Sequence, residues 1–470
     1  MKNVRIALVE ASNRSTHIYS RTYLPRVGIP TLAALLKQQG HACDIWFQAL
    51  PGYQDERLLA YDIIGIGSLS STISAAYRLA GFLKSKGKVV VMGGPHVSFM
   101  PEEALEYCDY VVIGEGEAAF PALIEALNQG QVPDAVPGLA YRLPQGGIHY
   151  TPAGNAVDMH CMPSPDFSLS PQVQSGKIPP IITTSRGCPH DCSFCSVTLM
   201  FGRRYRFKPA AQVISELRPV LNRSVCFGDD NFCANPKRAK ELLREMIRQD
   251  ALPLRWSGQM TVQAAMDDEM LDLMQQTRCR IMYIGIESVS PETLKKFGKA
   301  HAVEAIEGCI ENLHRHDIGV HGMFVVSADD ALETAEQIGD FAIATDIDTI
   351  QICALTPFPG TAAYAEYEGR LLHREWRYFD GMHVVVEPSQ CSAFQMQTAI
   401  VEQLQRFYSL PRVLGAYRHG RAWRIKYRAG GYYLIRRWEQ ENEDYLYRLQ
   451  TGFLPEHADS LRGAMIPPPA

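Results

Sequence analysis

The sequence lacks the features of membrane, exported and disordered proteins. No apolar run approaches the ~20 residues of a transmembrane helix. The first ten residues hold no long apolar region and no cleavage site, so we expect a cytoplasmic protein without a secretory signal. Lys and Arg total 46 against 51 Asp and Glu, and this net charge of −5 argues against a nucleic-acid partner. Apolar residues make up 46% of the chain, which is enough for large cores and excludes general disorder.

The cysteines do not have the distribution of a disulfide framework. Twelve occur in a long chain, where we expect reduced thiols, and most are scattered singly as small buried side chains. Three of them, Cys188, Cys192 and Cys195, fall within eight residues. Zinc sites usually need four ligands, and no second Cys/His pair is spaced nearby. Cysteine thiolates also hold iron–sulfur clusters, and three of them would leave one iron open.

The first 142 residues alternate short apolar segments with helical patterns. This order is typical of βαβ units and predicts a flavodoxin-like doubly wound domain, in which ligands bind at the carboxyl ends of the strands. The five predicted strands are Val4–Val9, Ala42–Phe47, Tyr61–Gly67, Lys88–Met92 and Tyr110–Ile113.

Three further regions follow. Residues 143–180 contain seven prolines, which predicts a connector that wraps over the surface instead of a folded unit. Residues 181–389 form a second α/β series, which predicts a partial (βα)6 barrel with its active site at the carboxyl ends of the strands. Residues 390–470 are helical, aromatic and basic. The predicted barrel strands are Ile181–Ser185, Ser224–Gly228, Leu254–Ser257, Ile281–Ile286, Val320–Val326 and Thr349–Ala354.

The cysteine motif resembles the signature of a known protein family. The spacing Cys188-x3-Cys192-x2-Cys195, with the aromatic Phe194 before the last cysteine, is similar to the signature of the radical S-adenosylmethionine (radical SAM) superfamily. The resemblance implies a [4Fe–4S] cluster on these three cysteines, whose open iron binds S-adenosylmethionine (SAM). It also implies formation of a 5′-deoxyadenosyl radical and packing of Phe194 near the adenine. A structural metal loop or chance thiols are the alternative.

The same resemblance implies further SAM contacts at the barrel mouth. Asp229 and Asp230 end the second predicted strand, where family members approach the amino group of SAM. Gln259 follows the third strand, and Glu287 ends the fourth, where the family contacts the ribose and methionine moieties. An Asp-rich turn capped by Asn235 and a solvated loop carboxylate are the alternative interpretations of these acidic residues.

Glycine-rich loops follow strands of the first domain. Alone they would indicate a generic nucleotide or phosphate site. Ahead of a radical SAM barrel, the motifs GGPH (93–96), PEE (101–103) and GEGE (114–117) resemble cobalamin-binding domains, and the resemblance covers residues 1 to about 390. It implies that the nucleotide tail of cobalamin enters the sheet near Ser68. The implied cobalamin residues are Ser68, Thr72, Gly93, Gly94, His96, Gly114, Glu115 and Gly116.

Two related branches do not fit. The D-x-H-x-x-G motif of methionine-synthase-type domains is missing after the first strand, so we expect His17 to be a loop residue and cobalamin to bind base-off without a histidine ligand. Methylthiotransferases hold a second cluster on three cysteines of their first domain, whereas this domain offers only Cys43 and Cys108.

The resemblance favours a cobalamin-dependent methyltransferase that acts on an unactivated carbon of a small-molecule or lipid-like metabolite. It implies an electron donor of the flavodoxin or ferredoxin type. A non-methylating cyclase or rearrangement enzyme with the same cofactors, and a cobalamin-binding sensor, are the alternatives.

The basic aromatic segment 406–438 is open to three interpretations. It fits a helical cap over the barrel mouth, a peripheral membrane contact or a nucleic-acid patch. We favour the cap, and we expect Gly430-Gly431 to interrupt any single long helix.

Overall fold

A seven-stranded sheet forms the first domain. The computed structural model describes residues 4–13, 24–173, 178–299, 303–416 and 422–453. The first five strands are parallel in the order β2-β1-β3-β4-β5, which confirms the flavodoxin-like prediction. The strands are β1 (Ile6–Glu10), β2 (Cys43–Phe47), β3 (Ile63–Gly67), β4 (Val89–Gly93), β5 (Tyr110–Val112), β6 (Leu139–Arg142) and β7 (Ile148–Tyr150). The helices are α1 (Gly28–Gln38), α2 (Ile73–Ser85), α3 (Pro95–Phe99), α4 (Pro101–Ala104) and α5 (Gly116–Asn128).

The first sheet continues past residue 142, where the sequence predicts the end of the domain. The strands β6 and β7 form an antiparallel hairpin that extends the first sheet beyond β5. Gly146 and Gly147 have φ values of +94° and +83°, and Leu143 N–H donates to the Gly147 carbonyl across the turn. Pro144 therefore belongs to a hairpin loop, and the connector begins only after Tyr150. Part of that connector does lie on the first sheet, since the Gln172 side chain bonds both backbone groups of Phe47.

The second sheet confirms the predicted partial barrel. Its six strands are parallel in the order β15-β14-β13-β12-β11-β8, and a two-stranded ribbon of β9 and β10 stands beside it. Side chains alternate along β13, so that Met282 and Ile284 join the core under the helices while Tyr283 lies on the opposite face with His321. The strands are β8 (Ile181–Ile182), β9 (Ser185–Arg186), β10 (Arg206–Phe207), β11 (Ser224–Phe227), β12 (Arg255–Met260), β13 (Cys279–Glu287), β14 (Gly319–Val326) and β15 (Thr349–Ala354).

Helices surround this barrel and complete the chain. The helices between and just after its strands are α6 (Val197–Phe201), α7 (Ala210–Leu217), α8 (Pro236–Arg248), α9 (Asp268–Gln276), α10 (Pro291–Lys296), α11 (Val303–Arg315), α12 (Glu333–Ala344) and α13 (Ala362–Tyr367). The C-terminal helices are α14 (Ala393–Phe407), α15 (Leu410–Gly415), α16 (Ala422–Glu441) and α17 (Glu443–Thr451). No helix in the described ranges is long and apolar enough to cross a bilayer.

One C-terminal helix is longer than we expected. Helix α16 runs unbroken through Gly430-Gly431, although we expected a break there. A Cβ added at Gly431 would lie 2.4 Å from the Tyr408 ring, so the glycine allows the helix to approach this side chain. The Tyr408 hydroxyl is held in turn by both backbone groups of Ile350 in β15.

The position of α16 also corrects the prediction of a cap over the barrel mouth. Trp423 packs against Arg280 and Gly319, at the amino ends of β13 and β14. Arg424 and Arg428 are buried and pair with acidic residues that precede β15. These two arginines are therefore used inside the protein and are not exposed to lipid headgroups.

One core is shared by the two sheets. Side chains from β3, β4 and α2 pack with residues 297–386 of the barrel and the segment after it. The Gly360 turn, whose φ is +84°, approaches the Phe99 ring so closely that a Cβ would lie 2.5 Å from it. This packing fixes the carboxyl edge of the first sheet relative to the mouth of the barrel.

Candidate active site

The three clustered cysteines lie on a loop (residues 187–196, the cysteine loop) between β9 and α6. Gly187 begins the loop with φ +89°, and a Cβ there would lie 2.7 Å from the Arg204 carbonyl oxygen. The loop is held from several sides: Cys195 N–H donates to the Cys192 carbonyl, Thr198 to the His190 carbonyl, and Ala363 N–H to the Ser193 carbonyl. Phe194 packs edge-on against Phe297, with ring centroids 5.1 Å apart.

The chemistry of the three thiols fits an iron–sulfur cluster. All three are half-buried, and burial raises their pKa values, that of Cys195 to about 11. Cys188 adds to the rise in the pKa of Cys192, and both add to that of Cys195, as expected for thiols on one short loop. In the described part of the chain, no three His, Cys, Asp or Glu side chains meet at one metal-ion position. A [4Fe–4S] cluster does not require that, because each cysteine binds a different iron.

The two aspartates predicted for SAM have different surroundings. Asp229 is 4% exposed, and its Oδ1 accepts from Thr184 N–H at 2.9 Å and from the hydroxyls of Thr184 and Ser185. Burial raises its pKa, and its Oδ2 has no partner among the described residues. Asp230 is less buried, and after burial it contributes to raising the pKa of Cys188 and Cys195. Burial and then Asp229 raise the pKa of Asp230 to about 6. Asp229 therefore supports the first barrel loop, whereas Asp230 lies within electrostatic range of the cysteines.

Glu287 and Gln259 lie at the mouth on neighbouring strands. Gln259 is exposed, and its carbonyl accepts from Phe232 N–H. Glu287 is buried with an unusual φ of +68°, where the pairing of β13 with β14 shifts register. Its carboxylate lies 2.8 Å from the ammonium of Lys299, a residue that the sequence analysis did not identify.

The loops at the carboxyl edge of the first sheet carry features that cobalamin binding would require. Gly94 has φ +112°, and a Cβ there would lie 2.3 Å from the Ser68 carbonyl oxygen. Ser68 is 2% exposed, and its hydroxyl has no partner among the described residues. Ser98 connects the neighbouring loops, because its hydroxyl donates to the Gly94 carbonyl and accepts from Gly114 N–H. An unpartnered hydroxyl beside bare backbone fits the entry of a cofactor tail.

Two residues predicted to contact cobalamin serve other contacts. Both ring nitrogens of the buried His96 are used, by Ser70 at 3.0 Å and by Glu103 at 3.3 Å, and its ring packs on Trp376. Thr72 bonds the backbone of Leu69 at the start of a helical turn. His96 is thus a contact between the first domain and the segment after the barrel. His17 lies outside the described residues.

The GEGE motif connects the first sheet to the cysteine loop. The Glu115 side chain is only 5% exposed, and it accepts hydrogen bonds from Arg206, including one of 2.9 Å, and from Val157 N–H. Arg186, two residues before Cys188, lies 3.5 Å from Glu115 and donates to Glu117 at 2.6 Å. These carboxylates hold the ribbon that carries the cysteine loop, so Glu115 is a link between domains and not an open ligand contact.

Comparison with known proteins agrees with this geometry. The sequence profile of the B12 binding domain matches residues 18–124, and that of the Radical SAM superfamily matches residues 182–342. An uncharacterized methyltransferase of Pyrococcus horikoshii is 30% identical, over 83% of this chain and 89% of the relative. This chain belongs to the radical SAM superfamily. It is an enzyme of the B12-binding branch, and its cofactors are a [4Fe–4S] cluster, SAM and cobalamin.

A second relative and a solved structure are also similar to this radical SAM enzyme. The bacteriochlorophyllide d C-12(1)-methyltransferase of Chlorobaculum tepidum is 29% identical, over 74% of this chain and 75% of its own. The solved structure of the radical SAM methyltransferase TsrM from Kitasatospora setae, with cobalamin and a [4Fe–4S] cluster bound, superposes with a TM-score of 0.66. That match covers 78% of each chain at 20% identity, and it shows a common fold.

The structure adds Arg186, Arg206 and Lys299 to the site. Arg186 directly precedes the Gly187-Cys188 pair, so its place was visible in the sequence, but its partners were not. Arg206 and Lys299 follow the cysteines in the chain by 11 and 104 residues from Cys195, and no short motif marks them.

Proposed function

We propose that this radical SAM enzyme transfers a methyl group from SAM to an unactivated carbon of a small-molecule substrate. The cluster with SAM supplies a 5′-deoxyadenosyl radical, and cobalamin supplies the methyl group. The protein's own part is to hold the two cofactors near each other and to exclude water.

The contact that carries this proposal joins Glu115 and Glu117 with Arg186 and Arg206. These ion pairs tie the edge of the cobalamin domain to the ribbon before and after the cysteine loop. They are largely buried, so solvent screens them weakly. Such a connection supports methyl transfer, because a substrate radical must meet the methyl donor before it reacts elsewhere.

The proposed substrate is a large apolar ring compound. The relatives include methyltransferases of bacteriochlorophyllide d and hopanoid methylases, the latter 29% and 27% identical. The basic C-terminal segment no longer favours a lipid, because Arg424 and Arg428 are buried in ion pairs. Tetrapyrroles and hopanoids are therefore both to be tried as substrates.

The test is product analysis on anaerobically reconstituted enzyme. The assay contains hydroxocobalamin, a reductant, SAM and either a chlorophyllide-type tetrapyrrole or a hopanoid. Methyl transfer predicts that S-adenosylhomocysteine and 5′-deoxyadenosine rise together, along with a substrate product heavier by one methylene group. The proposal fails if cobalamin does not bind or if no S-adenosylhomocysteine forms with any tested substrate.

Ring formation is the second candidate. Two anaerobic magnesium-protoporphyrin IX monomethyl ester cyclases match 82% of this chain at 24% and 25% identity. A cyclase would give 5′-deoxyadenosine without S-adenosylhomocysteine in the same assay. A cobalamin-binding sensor would give neither product.

We also propose that a reduced flavodoxin or ferredoxin supplies the electron. The exposed residues Pro189, His190 and Asp191 bring the cysteine loop to the protein surface, which supports direct transfer from a protein donor. Replacing the chemical reductant by reduced flavodoxin should sustain 5′-deoxyadenosine formation. Its failure with both flavodoxin and ferredoxin would contradict this donor class.

A further inference from the structure

We propose that Lys299 is a positioning residue that raises the reduction potential of the [4Fe–4S] cluster by placing its positive charge beside Cys192, and that Glu287 moderates this effect. The proposal depends on the cluster that the family carries and not on methyl transfer. It concerns the one-electron reduction that precedes SAM cleavage, in which an electron from a low-potential donor enters the cluster and no bond is broken.

The chain segment that carries Lys299 lies along the cysteine loop. Phe297 packs on Phe194, and the Ser193 hydroxyl donates to the Lys296 carbonyl at 3.4 Å. A Cβ at Gly298, which has φ +72°, would lie 3.3 Å from the Asp191 carbonyl oxygen. Three successive contacts therefore place the backbone after α10 against residues 191–194, directly beside Cys192.

The Lys299 side chain turns into this contact. Only 15% of it is exposed, and its ammonium lies 2.8 Å from Glu287 Oε1. Burial raises the pKa of the Cys192 thiol, and the charge of Lys299 opposes this rise. Burial opposes the charge of Lys299, but Glu287 and then Cys192 raise the pKa of Lys299 above its ordinary value. The ammonium of Lys299 is therefore held by a carboxylate beside the cysteine loop.

The backbone around Glu287 accommodates this pair. Glu287 has φ +68°, a left-handed conformation that non-glycine residues adopt at a cost, and it lies at a register shift of β13 against β14. A Cβ at Gly285 would lie 2.6 Å from Glu287 Oε1 and 3.5 Å from Lys299 Nζ. The strained residue and the adjacent glycine together make room for the ion pair at the mouth.

The charges of Lys299 and Glu287 should affect the reduction potential of the cluster. Reduction adds one electron to the cluster, and a hydrogen bond or a positive charge at a ligand sulfur stabilises the reduced form. The negative charge of Glu287 counteracts this. The two side chains should therefore change the midpoint potential in opposite directions, which a purely structural role would not produce.

The test is an EPR-monitored redox titration of anaerobically reconstituted full-length protein without SAM, cobalamin or substrate. Iron and sulfide contents are measured first. We expect K299Q to lower the midpoint potential, E287Q to raise it, and K299R to stay near the wild type. The matched control is K295Q, since Lys295 is exposed on α10 and should leave the potential unchanged.

Two results would overturn the proposal. One is a fully loaded K299Q protein that titrates at the wild-type potential. The other is an E287Q shift in the same direction as that of K299Q. If K299Q fails to bind iron, E287Q decides: a higher potential supports the proposal, and an unchanged or lower one overturns it. The readout needs neither cobalamin nor substrate, so failure of methyl transfer would not alter it.

Discussion

At the scale of residues, the cysteine loop depends on thiols that no other side chain can replace. Burial raises the pKa of each of the three, so that iron must displace the proton for a thiolate to form. The carboxylates Asp230 and Glu287 approach this loop from two different strands and add negative charge. The site therefore relies on the metal to balance its charge.

Cys192→Ala should abolish iron loading and 5′-deoxyadenosine formation, because two cysteines leave the cluster short of a ligand. Iron content and chromatography of the products measure this. Cys161→Ala is the matched control, since Cys161 is exposed and free and should be replaceable without effect. Retained 5′-deoxyadenosine formation in Cys192→Ala would end the cluster assignment.

Gly93→Leu should block cobalamin uptake by at least about tenfold, equivalent to ~1.4 kcal/mol, while iron loading persists. A Cβ at Gly93 would meet only Val112, at 3.9 Å, so Gly93→Ala fits the protein and serves as the control. Only the longer side chain reaches into the proposed cofactor cleft. Uptake is measured by absorbance of the bound cobalamin, and normal uptake by Gly93→Leu would move the site elsewhere.

His17→Ala should leave the absorbance and EPR spectra of bound cobalt unchanged, because the motif that supplies a lower histidine ligand is missing from the sequence. The wild-type spectrum should itself be of the base-off form. A spectral shift in the variant would mean that His17 does bind the cobalt.

At the scale of elements, close approach of α16 to the barrel depends on one glycine. Gly431 leaves room for the Tyr408 ring, whose hydroxyl is fixed to β15. Arg424 adds ion pairs to Asp346 and Asp348 from the same helix. The basic composition of this segment therefore serves packing inside the molecule.

Gly431→Ala should reduce the free energy of unfolding by about 1–3 kcal/mol, because the added methyl overlaps the Tyr408 ring. Gly81→Ala is the same substitution within α2 at a position with open space, where helix propensity should add up to about 1 kcal/mol. Denaturant titration compares the two variants. Stabilisation by both would contradict the packing argument.

At the scale of the whole molecule, stability depends on buried histidines that must stay neutral. Burial lowers the pKa of His321, inside the barrel, and of His373, which bonds Tyr445 of α17, each to about 4. The unfolded chain takes up these protons near pH 6.5, so it binds more protons than the folded protein between pH 6.5 and 4.

Stability should therefore fall as the pH drops from about 6.5 towards 4, by about 2 kcal/mol for each histidine at pH 5. Thermal unfolding from pH 7.5 to 4.5 measures the slope. His321→Gln and His373→Gln should each reduce it, whatever their stability at pH 7.5. An equally steep slope in both variants would assign the loss to other groups.

The sequence alone determined the elements and the cofactor loops of this protein. Strand alternation, glycine punctuation and the cysteine spacing are local patterns, because backbone geometry repeats every two to four residues and three ligands fit one short loop. They were sufficient for the strand order β2-β1-β3-β4-β5 and for the cysteine loop on the first barrel unit. They failed at β6 and β7, which form a hairpin that was not predicted.

The tertiary structure decided which charged side chains meet. Glu115 pairs with Arg206, 91 residues away, and Arg424 with Asp348, 76 residues away. Such partners share no local pattern, since their contact depends on how two sheets and a helix pack. The same reason explains His96, which the motif suggested for cobalamin but which lies at a contact between domains. It also explains Lys299, which reaches the cysteine loop only through the packing of its chain segment.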